Sequence, residues 1–381
     1  MQGWQRFGVA VLLVAVVGCG GSQGPTTDIG GEFQSMLEKA AAAEPLVFGA
    51  ALHVDGPGID WEGAVGFADP EGGVAMTAEH PVRLASNTKT YVAAAVLRLV
   101  EQGRLELDRS IAGYLPAELN EILISGGYDP EVITIRHLLT HTSGLDDHGA
   151  GDNYGELIMA DPQRRWTRTD QLGFLVEWGK PQGEPEEVYR YSDSGYILLG
   201  EILERTTGKN FPGAVWELID RQRLGLHATW FETLEPQPNG TLDRAHQFFG
   251  DLDTAAFDPS FDLWGGGGIV ATVGDLARFT RALFEGRVFD DPTTLETMLT
   301  TFEGLNAPEG AGEQRIEPGA YRMGLWVVEV GGLTGWRHSG FWGTSATYFP
   351  ELDLVITGTQ NQNHGQYIIS PLVEEIVVRV R

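Results

Sequence analysis

The sequence predicts an α/β fold: an antiparallel sheet flanked by helices, carrying an inserted, mainly α-helical subdomain. Segments of β-type composition gather at the two ends of the chain, and short helical patterns alternate with Gly, Pro and Asp loops between about 105 and 262. A strand-like pair also brackets Gly56-Pro57-Gly58, the signature of a hairpin. One α/β body over 32–104 and 263–381, interrupted by a helical insertion over 105–262, accounts for this arrangement.

The elements follow in order. Residues 1–19 read as an export signal. Arg6 supplies a basic start, and 7–17 is an apolar run too short to span a bilayer. Val16-Val17-Gly18-Cys19, followed by Gly20, resembles a bacterial lipobox. That resemblance implies lipidation of Cys19 and a lipid-anchored protein in the bacterial cell envelope, facing an extracytoplasmic space. In a Gram-negative host it implies the outer membrane, because Gly20 gives no retention signal. Cys19 is the only cysteine, so no internal disulfide is available. The Gly/Ser/Pro/Thr composition of 20–31 predicts a flexible tether. A helix is expected over 32–43, strands over 46–54 and 61–67, and a helix from Ser86 to about Gln102-Gly103. Within the insertion, helical patterns occur at 118–124, 133–140, 170–177, 196–206 and 214–220. Strands return at 321–330, 334–338, 345–349 and 354–359, and 366–380 closes the chain as a helix. The net charge of −27 leaves no basic stripe to meet phosphates and excludes nucleic acid as a partner.

The stretch Arg83 to Tyr91 organises the chemistry. Ser86 and Lys89 are three residues apart, so on a helix they share a face, which runs on into Val92, Ala93, Val96 and Leu99. A lysine on an apolar stripe is costly unless it is paired or neutral. Desolvation favours the neutral amine, and that amine is a usable base. A serine hydroxyl is a poor nucleophile until such a base lies beside it. Ser-x-x-Lys alone is a weak motif, and Ser86 could equally be a helix cap.

Three further stretches change the balance: Arg136 to Leu145, containing His141-Thr142-Ser143-Gly144; Tyr189 to Gly200, opening Tyr189-Arg190-Tyr191-Ser192-Asp193; and His338-Ser339-Gly340-Phe341-Trp342-Gly343. With Ser86-x-x-Lys89 ahead of them, they resemble the serine penicillin-recognising enzymes. The subset they resemble contains class C β-lactamases, D-alanyl-D-alanine carboxypeptidases, D-amino-acid peptidases and related esterases. The resemblance runs from about Pro45 to Arg381 and includes the glycine run 265–268, which is not a phosphate loop because no Gly-Lys-Ser/Thr follows it. It implies a β-lactamase/DD-peptidase-like fold and a covalent acyl-enzyme. Ser86 would be the nucleophile, Lys89 its proton acceptor or relay, and Tyr191 a general base or acid. The backbone N–H groups of Ser86 and Phe341 would form the oxyanion hole. Asp193, His338, Ser339 and Gly340 would contact substrate.

Two residues depart from the family pattern. Asp193 stands where the Tyr-x-Asn motif has asparagine, and a carboxylate cannot donate to an acyl-side carbonyl. His338 stands where many members have lysine, and its charge would follow pH. The leading expectation is an envelope-tethered D-alanyl-D-alanine carboxypeptidase or related hydrolase, acting on a peptidoglycan stem peptide, a β-lactam or another small acyl or peptide substrate. The alternatives are a carboxylesterase or amidase on small acyl substrates, and a non-catalytic ligand-binding lipoprotein of the same fold. No cofactor is implied. His137 and His141, although i, i+4, lack a third ligand, so no metal is expected. Asp146-Asp147-His148 reads as a solvated loop, and Phe341 and Trp342 read as a substrate-facing aromatic surface.

Overall fold

The computed structural model describes residues 28–306, 320–363 and 367–381. The export signal, Cys19 and the tether through residue 27 lie outside the described residues. In chain order the elements are α1 (Ile29–Ala43), β1 (Gly49–Gly56), β2 (Ile59–Asp69), β3 (Val74–Ala75), β4 (Val82–Arg83), α2 (Thr88–Glu101), α3 (Ala117–Ser125), α4 (Ile135–Thr140), α5 (Asp152–Ala160), α6 (Arg168–Trp178), α7 (Asp193–Thr207), α8 (Phe211–Ile219), β5 (Thr229–Phe231), β6 (Phe248–Phe249), β7 (Leu252–Asp253), β8 (Ile269–Ala271), α9 (Val273–Phe284), α10 (Pro292–Met298), β9 (Trp326–Val330), β10 (Leu333–Gly340), β11 (Thr344–Phe349), β12 (Leu354–Thr359) and α11 (Ile369–Val380).

Gly58, at φ +75°, turns β1 into β2, and the pair runs antiparallel from Gly49↔Gly66 to Gly56↔Ile59. β1 also pairs with β12, from Ala51↔Thr359 to Asp55↔Val355, so the two ends of the chain close one seven-stranded antiparallel sheet, ordered β3-β2-β1-β12-β11-β10-β9. Successive side chains of a strand face opposite ways. Ala50, Leu52 and Val54 accordingly meet Phe33, Leu37 and the Leu372–Ile376 face of α11, while Ala51 joins the core built on α2 and α9. Both faces of β1 are covered, so Gly49 to Leu52 is continuously apolar and the polar residues His53 and Asp55 come only toward its end.

Several boundaries differ from expectation. α1 starts at Ile29, inside the stretch expected as tether, because the Asp28 carboxylate accepts the Gly31 N–H at 3.1 Å and caps it. The strand expected over 321–330 is regular only from Trp326. Gly324, at φ +80°, lies against the Lys89 carbonyl and breaks it. α5, α9 and α10 were not anticipated. α9 is capped by Thr272, whose hydroxyl accepts the Asp275 N–H at 3.1 Å. The insertion also contains strands: β5 joins β8 and β4 in a small three-stranded sheet. That sheet lies directly under the Ser86 turn. Among the described residues, no helix is long and apolar enough to cross a membrane.

Candidate active site

Ser86 occupies a 3-10 turn, Ala85–Asn87, that leads into α2. Ala85 sits at φ +45°, a left-handed conformation unfavourable for a residue with a Cβ, so the turn is held by its surroundings. Those holds are visible. Asn87 Nδ2 donates to Thr344 Oγ1 at 2.9 Å and to the Leu84 carbonyl at 3.2 Å. Thr344 Oγ1 donates to the same carbonyl at 3.0 Å, and the Leu84 N–H bonds Ile269 O at 2.8 Å. The turn is thereby fixed to both sheets.

One helical turn later, Lys89 is fully buried, with 0% of its side chain exposed. Its Nζ donates to Ser86 Oγ at 3.1 Å and to the Gly266 carbonyl at 2.6 Å, and lies 2.5 Å from Asp193 Oδ1. A buried ammonium requires such partners. The glycine run supplies one of them because it wraps the start of α7. A Cβ on Gly265 would stand 2.2 Å from Tyr196 O, and Gly265 itself is at φ +130°.

Tyr191 and Asp193 flank Ser192, the N-cap of α7. Ser86 lies close enough to the Tyr191 phenol to lower its pKa, though burial outweighs this, and the Tyr191 ring centroid lies 4.9 Å from Lys89 Nζ. Burial first, and then the nearby Asp193 charge, push its phenol well above the usual tyrosine range. Burial pulls the Asp193 carboxyl upward too, but the charge and hydrogen bond of Lys89 outweigh it, so Asp193 is held below its ordinary value. The sequence therefore brought Ser86, Lys89, Tyr191 and Asp193 to one point.

The opposite wall is the end of β10. β9 pairs with β10 only as far as Arg337↔Trp326, leaving the edge at His338–Gly340 unpaired on that side among the described residues. His338, Ser339, Phe341 and Trp342 line the cleft with Ser86. Gly340 is required there: a Cβ would stand 2.1 Å from Leu84 O and 2.3 Å from Thr344 Oγ1. This close approach brings residue 341 alongside the Ser86 turn. The pH-dependent charge expected of His338 is not found. Its Nδ1 lies 2.9 Å from Ser339 O, an acceptor, so Nδ1 carries the proton and Nε2 accepts from Tyr321 Oη at 3.1 Å. Burial and then the Lys89 charge bring its pKa down to about 3, leaving a neutral imidazole.

The cleft holds about 890 Å³. Tyr154, Phe249, Phe257, Phe261, Trp326 and Trp342 give it aromatic walls, and Asp147, Asp152, Glu156, Asp193 and Asp262 reach it. No Lys or Arg side chain is among the described residues that line it. The Asp146-Asp147-His148 stretch is thus not a solvated loop. Asp146 binds Arg190 at 2.7 Å, Asp147 accepts the Asp193 N–H at 2.9 Å, and His148 is buried against Ser194 Oγ at 3.0 Å. Burial and then the Asp193 charge raise Asp147 and Asp262 to about 7. Burial lowers His148 to about 4. Asp147 and Asp262 carry no motif; only their chain position beside motif residues could have flagged them. Among the described residues, no group of three metal-ligating side chains converges.

The family model described as Beta-lactamase matches residues 37–369. Esterase EstB of Burkholderia gladioli is 36% identical over 208 residues, covering 53% of this chain and 52% of that protein. Penicillin-binding protein 4 of Amycolatopsis lactamdurans is 30% identical, covering 67% of this chain and 64% of that protein. The chain spans about half the length of the first curated relatives it matches. Among solved structures, a D-stereospecific amidohydrolase from Streptomyces sp. superposes with a TM-score of 0.71 at 26% identity, covering 88% of this chain and 94% of that one.

Proposed function

The chain belongs to the Beta-lactamase family, and from that premise we propose that it is a serine hydrolase that cleaves small esters and amides through an acyl-enzyme on Ser86, as its esterase and penicillin-binding relatives suggest. In the reactive charge state the proton shared by Lys89 and Asp193, 2.5 Å apart, rests on the Asp193 carboxylate and leaves Lys89 a free amine; Ser86 Oγ then attacks the acyl carbon and its proton passes to that amine, 3.1 Å away. The Ser86 and Phe341 N–H groups receive the oxyanion. Tyr191, kept protonated by its burial and by Asp193, gives its proton to the leaving oxygen or nitrogen as the acyl bond breaks, and Lys89 returns a proton to Tyr191. Water then attacks the acyl-enzyme along the reverse route.

The observation that carries the substrate class is the charge of the cleft. Of the five acidic residues that line it, Asp193 is paired with Lys89 and Asp147 and Asp262 are raised to about 7, so the negative charge is partly neutralised; no Lys or Arg is among the described lining residues, and His338 is neutral. A carboxypeptidase must seat a substrate carboxylate, for which the described lining offers no cationic side chain; a neutral ester or amide, or an acyl group bearing an ammonium, needs none. The D-stereospecific amidohydrolase and esterase relatives agree with this class. D-Alanyl-D-alanine carboxypeptidase action is the second reading, favoured by the unpaired β10 edge, which can pair with a peptide. A p-nitrophenyl ester, a D-amino-acid amide and a D-Ala-D-Ala peptide, the last with a free or amidated C-terminus, separate the two. We expect turnover of ester and amide, and a gain of at least about tenfold in kcat/KM on amidating the peptide. The free-acid peptide being the best substrate would reverse the assignment.

The lipobox-like Val16 to Cys19 supports tethering in the cell envelope. Cys19→Ala is expected to move the protein from the membrane to the soluble fraction; continued sedimentation with membranes would remove the anchor.

A further inference from the structure

We propose that His141 is the positioning residue for Tyr191, holding the phenol at Ser86 without touching substrate. The inference rests on the reading of Tyr191 as proton carrier. Residue 141 grips the backbone on both sides of residue 191: its carbonyl accepts the Arg190 N–H at 2.9 Å, and its ring Nδ1 accepts the Ser192 N–H at 3.1 Å. Its ring then lies against the Tyr191 ring, with centroids 4.2 Å apart at 35°. Trp326 stacks on Tyr191 at 6.3 Å and 9°, and Tyr321 meets it edge-on at 5.9 Å. One residue therefore fixes the phenol's flanking backbone and one side of its ring.

The residue type follows from those demands. Position 141 caps α4 at φ +58°, a left-handed conformation that few side chains tolerate, histidine and asparagine among them. It needs an acceptor one atom beyond Cγ to receive the Ser192 N–H, and a flat face to pack on a ring. Histidine supplies all three. Because Nδ1 accepts, the proton sits on Nε2, which is buried with no hydrogen-bond partner among the described residues and is enclosed by the rings of Tyr191, Tyr196 and Tyr321. Burial first, and then the charge of Lys89, hold this imidazole neutral, well below its ordinary pKa. It neither binds substrate nor carries the reaction's proton.

The test is a double-mutant cycle on ester hydrolysis by the purified full chain, with melting temperature measured alongside. His141→Phe keeps a ring and loses the acceptor; His141→Asn keeps an acceptor suited to the left-handed backbone and loses the ring. The expected result is a fall in kcat of roughly tenfold to a hundredfold for His141→Phe with KM within about threefold, and a smaller fall for His141→Asn. If His141 acts only through Tyr191, the His141→Phe/Tyr191→Phe double variant is no slower than Tyr191→Phe alone, within about twofold. Losses that multiply in the double variant would overturn the positioning role while leaving Tyr191 in the reaction. So would a His141→Phe enzyme with wild-type kcat. A Tyr191→Phe enzyme with wild-type kcat would overturn the role of Tyr191 as well. Should His141→Phe fail to fold, the same cycle is read with His141→Asn.

Discussion

The two walls of the cleft are built on different physics. The sheet wall, at the end of β10, presents backbone, aromatic rings and a neutral imidazole. Its geometry comes from close contact, such as Gly340 against the Leu84 carbonyl. The insertion wall, from Asp147 through Tyr191 and Asp193 to Asp262, presents ionisable groups whose charges compete for one lysine. The sheet wall fixes where an acyl group lies, and the insertion wall sets which charge state surrounds it. The first should be intolerant of added volume. The second should tolerate isosteric changes in shape while responding to charge and pH.

Ser86 stands where the walls meet, and its loss gives the largest effect. Ser86→Ala is expected to reduce ester turnover by several orders of magnitude with the melting temperature little changed. Residual activity above about a tenth of wild type would take the chemistry away from both walls. Gly340→Ala probes the sheet wall. Its Cβ would fall 2.1 Å from a backbone oxygen, so β10 or the Ser86 turn must move. We expect kcat to fall roughly tenfold to a hundredfold and stability by about 1–3 kcal/mol. Full activity would mean that the wall is more compliant than its contacts imply.

Asp193→Asn probes the insertion wall at constant volume. It leaves Lys89 without its ion partner, which lies at 2.5 Å, so absolute rates fall. Asparagine also gains an N–H donor for an acyl-side carbonyl, so acylation by a penicillin should rise relative to hydrolysis of a short ester, by about tenfold. Equal losses on both would reduce Asp193 to a partner of the lysine. The smallest effect is thermodynamic. Asp262 has its carboxyl raised from 3.8 to about 7. A carboxyl raised in the folded state contributes stability that is present below its unfolded pKa and is lost as pH rises through the folded one. Asp262→Asn removes that loss. Its stability relative to wild type should therefore grow by about 1–3 kcal/mol between pH 4 and pH 8. Taking the difference cancels the opposing trend of the buried neutral histidines, which favour high pH. A flat difference would show that water reaches Asp262 freely.

The division between the walls also explains what could be read in advance. The sheet was legible because its strands are β-rich runs bounded by turns, and the Ser86 helix because its apolar stripe is regular. Ser86 and Lys89 are legible in their i, i+3 spacing, and Tyr191 and Asp193 in the motif resemblance that spacing alone does not give. Asp147 and Asp262 are not legible, because a carboxylate on a loop looks solvated until tertiary structure buries it. His141 was seen as a motif member, but its work depends on which backbone N–H groups lie opposite, and no local pattern encodes that. α9 is hard to read for another reason: its cap, Thr272, follows directly on the glycine run and the short strand β8, so no polar loop marks the change from strand to helix.

The sequestration of Lys89 has a practical consequence. The chain has only four lysines. Lys39, Lys180 and Lys209 are exposed, whereas Lys89 lies sealed behind Ser86, Gly266 and Asp193. Amine-directed reagents that react from bulk solvent therefore find three exposed lysines and no accessible lysine in the cleft. The folded protein is suited to dye labelling or to immobilisation on an amine-reactive resin through its lysines with turnover preserved, and Lys89 becomes modifiable only when the fold opens.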